Sequence, residues 1–170
     1  MRPAQQVEIP ATTLECYITG LYALNIQEPD GEGGDWHDVF HWQEGYENQP
    51  EVTLAGSPEI DTVPIYGHLG VYEGRQQLTT QGLTINPAIT EVYLADHTRA
   101  ILDLLYQSLA RTGHVYNLTG ATTDWLETHQ RGQLVLQQAA RMAPRFPEAA
   151  QAELQRWISS ERQQLKAVYG

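Results

Sequence analysis

Two histidines four residues apart on a helix place both imidazoles on one face, where they can hold a single metal ion. His37 and His41 have that spacing, within Gly34-Asp35-Trp36-His37-Asp38-Val39-Phe40-His41-Trp42. With Asp38 the segment reads His-Asp-x-x-His, close to the His-Glu-x-x-His of zinc proteases, where the glutamate is the general base. Aspartate is one methylene shorter and reaches less far toward a metal-bound water. A third ligand is required, and Glu44, Glu47 and His68 are the candidates. A metal-dependent hydrolase would use His37, His41 and Glu44 to hold zinc, with Asp38 or Glu44 activating water. The structural alternative treats Trp36, Phe40 and Trp42 as an apolar plug with the histidines hydrogen-bonded at its rim, and that role is expected here.

A second constellation is Asp96-His97-Thr98-Arg99. In a functional role, Asp96 orients His97 as a base and Arg99 clamps an anion. In a structural role, Arg99 pairs with acidic residues from the front of the chain and ties the two halves together, and Arg75 can do the same. The structural role is the expectation. Other chemistry lacks its signature. There is no Walker loop, no G-x-G-x-x-G and no G-x-S-x-G, and the lone Cys16 has no basic neighbour to activate it.

Charge is distributed unevenly. Residues 3–74 contain thirteen carboxylates and no lysine or arginine, while nine of the ten basic residues come at Arg75 or later. The net charge of −11 therefore belongs to the front half. Such a surface attracts basic partners and repels nucleic acid, and no basic stripe exists to bind nucleic acid directly. The face expected to meet a partner runs through Asp30, Glu32, Asp35, Asp38, Glu44 and Glu47, with Trp36 and Trp42 as apolar anchors, since interface cores favour aromatics. The N-terminus carries no apolar run behind its charge, and no stretch reaches about 18 apolar residues. With a single cysteine, the expectation is a cytoplasmic protein without membrane segments.

The elements that must position these residues read as a mainly α domain over residues 1–170. An acidic front half (1–74) holds a small irregular β insert, and a helical back half spans 86–168; an α+β fold is the alternative. Thr12 and Glu15 have capping-box spacing before Leu14, Tyr17, Ile18, Leu21 and Leu24, which predicts a helix over 13–25. Asp35 is a cap for a short helix carrying Trp36, Val39 and Phe40. Residues 44–61 read as a long loop. Residues 63–66, 70–72 and 83–85 read as short strands, the first two a hairpin turning near Gly67 and His68. Asn86-Pro87 is a helix start, with Leu94, Ile101, Leu105 and Leu109 as its stripe and Gly113 as its stop. Asp124 and Glu127 open the next helix, which Gly132 interrupts. The last helix begins at Pro147, with Leu154, Trp157, Ile158 and Leu165 facing inward.

Two stretches also carry a resemblance. Leu21-Tyr22-Ala23-Leu24-Asn25-Ile26 leading to Gly34-Asp35-Trp36-His37, and residues 92–106 with Ala95-Asp96-His97-Thr98-Arg99-Ala100-Ile101-Leu102-Asp103-Leu104-Leu105-Tyr106, resemble a family of small bacterial proteins associated with abortive-infection nucleotidyltransferase toxins. Where that family has Ala-Asn-His, this chain has Ala95-Asp96-His97. The resemblance implies an antitoxin or toxin-linked partner and assigns no catalytic residue; for such a binding protein no cofactor is expected, zinc belonging to the hydrolase alternative. Together with the charge, it gives the expected function: an acidic protein-binding partner that masks the basic surface of a nucleotidyltransferase-like toxin. A nucleic-acid mimic aimed at another basic protein has the same charge signature.

Overall fold

A computed structural model of the protein describes residues 6–29, 39–43 and 51–170. Helices dominate, and among the described residues one two-stranded antiparallel sheet is the β insert, so the mainly α expectation holds. The helices are α1 (Gly20–Leu24), α2 (Val63–Tyr66), α3 (Arg75–Thr80), α4 (His97–Thr112), α5 (Ala121–Asp124), α6 (His129–Ala139) and α7 (Glu148–Tyr169). The strands are β1 (Val71–Glu73) and β2 (Tyr93–Ala95), and 3-10 segments occupy Val39–Trp42, Pro58–Ile60 and Ala140–Arg145.

The back half forms as its periodicity dictates. Ile101, Leu102, Leu105 and Leu109 bury one side of α4, and Leu154, Trp157, Ile158 and Leu165 bury one side of α7. Asp96 caps α4 by accepting from the Arg99 amide at 2.8 Å, and Gly113 ends the helix in the left-handed region at φ 74°. The start at Asn86-Pro87 is not used: those residues form a turn, and Leu94 sits in β2 rather than on the helix. Asp124 and Glu127 do not open a helix either. Asp124 ends α5, and α6 starts after Thr128, whose hydroxyl accepts from the Arg131 amide. Gly132 lies inside α6 without interrupting it. A Cβ there would come within 2.7 Å of Leu165 Cδ2 and 2.8 Å of the Thr122 carbonyl, so glycine is what lets α6 approach α5 and α7.

The front half departs further from expectation. The helix over 13–25 shrinks to α1, because Ile18 is extended and bridges Leu54 on one side and Leu94 on the other. Thr12 does not cap a helix; its hydroxyl accepts from the Tyr93 amide, while Thr13 Oγ1 accepts from the Cys16 amide in a local turn. Residues 63–66 form a helical turn with Pro64 in its first turn, not a strand. The hairpin near Gly67 and His68 is absent. β1 pairs instead with the distant β2, Val71 opposite Ala95 and Glu73 opposite Tyr93. Residues 83–85 belong to no strand. Of the long loop, 51–57 is irregular and 58–60 is a 3-10 turn.

Two hydrophobic clusters result. The larger joins α4, α6 and α7 with Tyr17, Ala23 and Leu24. The smaller gathers Val7, Ile18, Tyr22, Ile26, Trp42, Leu78 and Leu94. α1 therefore serves both, presenting Ala23 and Leu24 to one side and Tyr22 to the other.

Candidate functional site

The acidic stretch 30–50 carries six carboxylates and no lysine or arginine. Asp30, Glu32, Asp35, Trp36, His37, Asp38, Glu44 and Glu47 lie outside the described residues. What the structure describes is how the chain is held just before the stretch and at its middle.

The N-terminal tether is Glu28. A lone buried carboxylate would cost several kcal/mol, and here it is compensated. Its side chain is only 2% exposed and accepts from both Arg131 guanidinium nitrogens at 2.7 and 3.0 Å, and from the His97 amide. Arg131 also donates to Thr98 Oγ1 at 2.8 Å and lies 3.7 Å from Asp96. Burial nonetheless outweighs Arg131 and His97 and pushes the Glu28 carboxyl above the ordinary range. His97 Nε2 donates to the Ile26 carbonyl at 2.8 Å, and Nδ1 lies 3.4 Å from Glu28 Oε1. Fully buried, this imidazole is a tie between α4 and the chain after α1, and no substrate reaches it as a base.

The middle tether is Val39–Trp42. Trp42 is fully buried, 5.1 Å edge-on from the Tyr22 ring, and its carbonyl accepts from the Val7 amide at 2.7 Å. It is a core residue and does not serve as an apolar anchor offered to a partner. His41 is 5% exposed and packs edge-on against the same tyrosine at 4.7 Å. The proposed co-ligands His37 and Glu44 lie outside the described residues, among which no group of three His, Cys, Asp or Glu side chains is placed to hold a metal. Three front-half tyrosines are equally inward: Tyr17, Tyr22 and Tyr66 are buried.

Below the tethers lies a buried ion pair that joins the halves. Asp103, fully buried on α4, accepts from Thr19 Oγ1 at 2.6 Å, Thr62 Oγ1 at 2.6 Å, Tyr17 OH at 2.8 Å and Arg99 Nε at 3.3 Å. Arg99 also donates to the Leu69 carbonyl at 2.6 Å and lies over the Tyr17 and Tyr66 rings at 5.2 and 5.4 Å. Burial pushes the Asp103 carboxyl up, against the pull of Arg99 and the three hydroxyls. Arg99 thus ties the halves together, though its carboxylate comes from its own helix and not from the acidic front. With no exposure it clamps no external anion. Arg75 likewise holds a carbonyl, that of Ile89 at 3.0 Å. Sequence reasoning missed Asp103. The available signal was its position, four residues after Arg99 in an otherwise apolar run.

The front half is not wholly uncompensated. Besides Glu28, Glu59 meets Arg111 at 2.6 Å and Asp61 meets Arg145 at 3.8 Å, both cations from the back half. Glu73 is used locally, accepting from the Arg75 and Val92 amides at 2.9 Å. Glu8, Glu15 and Glu51 are exposed, with His68 beside Glu15 at 3.1 Å. No helix among the described residues is long and apolar enough to cross a membrane. Comparison with family models, with curated proteins and with solved structures finds no match.

Proposed function

We propose that the protein is an acidic binding partner that covers a basic protein surface, acting as an antitoxin-like inhibitor of a nucleotidyltransferase-type toxin. One observation carries this: residues 30–50 hold six carboxylates without a single lysine or arginine, and the stretch is fastened by Glu28 before it and by Trp42 within it. Fastening reduces the ordering cost of binding, and concentrated like charge steers a basic partner. A toxin that acts on RNA must present cations to phosphate, and an acidic face competes for them.

Co-purification from the native host, followed by a salt titration of the complex, tests this. The expected result is a basic protein that co-elutes and whose affinity falls as salt rises. Replacing Asp30, Glu32, Asp35, Asp38, Glu44 and Glu47 with asparagine or glutamine should abolish capture while the fold melts unchanged. A complex indifferent to salt and to these changes rules the mechanism out. The competing hydrolase with zinc at His37, His41 and Glu44 predicts stoichiometric metal in protein purified without chelator, lost in His37→Ala.

A further inference from the structure

Most cations of this protein are already engaged. Arg99, Arg111, Arg131, Arg145 and Arg156 each meet a carboxylate, and Arg75 and Arg141 hold backbone carbonyls. Arg162 and Lys166 differ. Neither side chain has a hydrogen bond or a carboxylate within ion-pair distance among the described residues, although the chain carries a net charge of −11. They lie four residues apart on α7, hence on one face, and both line the same groove between α6 and α7, about 570 Å³ in volume. Its apolar lining is Leu136 and Leu165, both buried, with Gln133 on the wall. At one end is His129, whose ring stacks on Tyr169 at 5.0 Å.

We infer that this groove binds a small organic anion with one carboxylate or phosphate head and an apolar body. Arg162 offers a planar fork suited to either head and Lys166 a second point charge. The exposed edges of Leu136 and Leu165, with the methylene stems of Arg162, Lys166, Gln133 and Gln137, offer the apolar body a surface to leave water, and the volume is in the ordinary range of small-ligand sites. Against a net charge of −11, two neighbouring cations without side-chain partners among the described residues are the feature that sets this groove apart. The site is on the opposite half of the chain from the acidic stretch and does not depend on its role.

Titration calorimetry of the full chain at low salt with octanoate, octyl phosphate and inorganic phosphate tests the assignment. Saturable one-to-one binding of an octyl ligand is expected, with the tighter of the two identifying the head group, and with inorganic phosphate weaker by about tenfold or more. Arg162→Gln with Lys166→Gln should lower octyl affinity by about tenfold or more and leave the circular dichroism and melt unchanged, since both side chains are exposed. Arg156→Gln, which removes a guanidinium already held by Glu153, should leave affinity unaltered. Absence of saturable heat at millimolar ligand, equal affinity in the double variant, or inorganic phosphate binding as well as the octyl ligands would each overturn the inference. Displacement of octanoate by a tighter-binding glutamate-rich peptide would also overturn it, reassigning the groove to a protein ligand.

Discussion

The front and back halves keep their shape by different means. In the back half, α4, α6 and α7 bury continuous apolar stripes against one another, and away from the seam with the front half the buried carboxylate is Glu161 on α7, which accepts from the Gly120 and Thr122 amides at 3.0 and 3.1 Å. The front half has short elements of three to six residues. It is held by polar ties reaching across the chain: Tyr17, Thr19 and Thr62 to Asp103, and Glu28 to Arg131 and His97. One half is stabilised mainly by packing area, the other by a few bonds whose loss leaves a charge stranded. The front half thus depends on its neighbour for its shape.

The strongest way to break this contrast is Asp103→Ala. It leaves Arg99 buried without a counter-charge, and a cost of about 3–5 kcal/mol is expected, a large share of a typical total stability. Hydrogen exchange should show the amides of Tyr17 through Leu24 losing protection before those of α7. Arg131→Ala strands Glu28 in the same way, and about 3 kcal/mol is expected; its distinguishing mark is loss of protection confined to residues 26–28 and the start of α4. Gly132→Ala probes the other half. Its methyl group would press on Leu165 and the Thr122 carbonyl, at about 1–3 kcal/mol, and denaturant melts should stay cooperative with exchange faster in α5 to α7.

A gentler probe is pH. Glu28, Asp96 and Asp103 are each pushed up by burial. A carboxyl whose pKa is raised on folding binds its proton more tightly in the folded state. Stability is therefore lost as pH rises from the ordinary carboxylate value through the raised one, and recovered on acidification. The expected outcome is a higher melting temperature at mildly acidic than at mildly alkaline pH, with the dependence reduced in an Asp103→Asn variant. The smallest effect belongs to Arg111→Gln. It removes the exposed pair with Glu59, and the melting temperature should not move measurably, because exposed pairs contribute little.

How far sequence could foresee this follows from the same contrast. α4 and α7 were legible because stripes such as Leu154, Trp157, Ile158 and Leu165 repeat at helical spacing, and because Gly113 and Pro147 mark their ends. Glu161 stands on the α7 stripe where an apolar residue would fit, a legible sign of a buried polar tie. The front half misled because local and long-range signals compete. Leu14, Tyr17, Ile18 and Leu21 satisfy a helical period, yet Ile18 bridges Leu54 and Leu94. The three hydroxyls that meet Asp103 are 41 to 86 residues away, and no local spacing encodes such a meeting. Of the expected partner face, Trp42 alone falls among the described residues, and its apolar character proved to be that of a core side chain.

Glu28 and Arg131 are 103 residues apart, and that separation has a consequence for biosynthesis. At roughly 5–20 residues per second, the ribosome takes about 5–20 s to deliver the arginine after the glutamate. Throughout that interval the N-terminal segments have emerged without the helix surface that completes them. Their surplus of negative charge makes nascent chains on one polysome repel each other, which opposes clumping of the unfinished polypeptide.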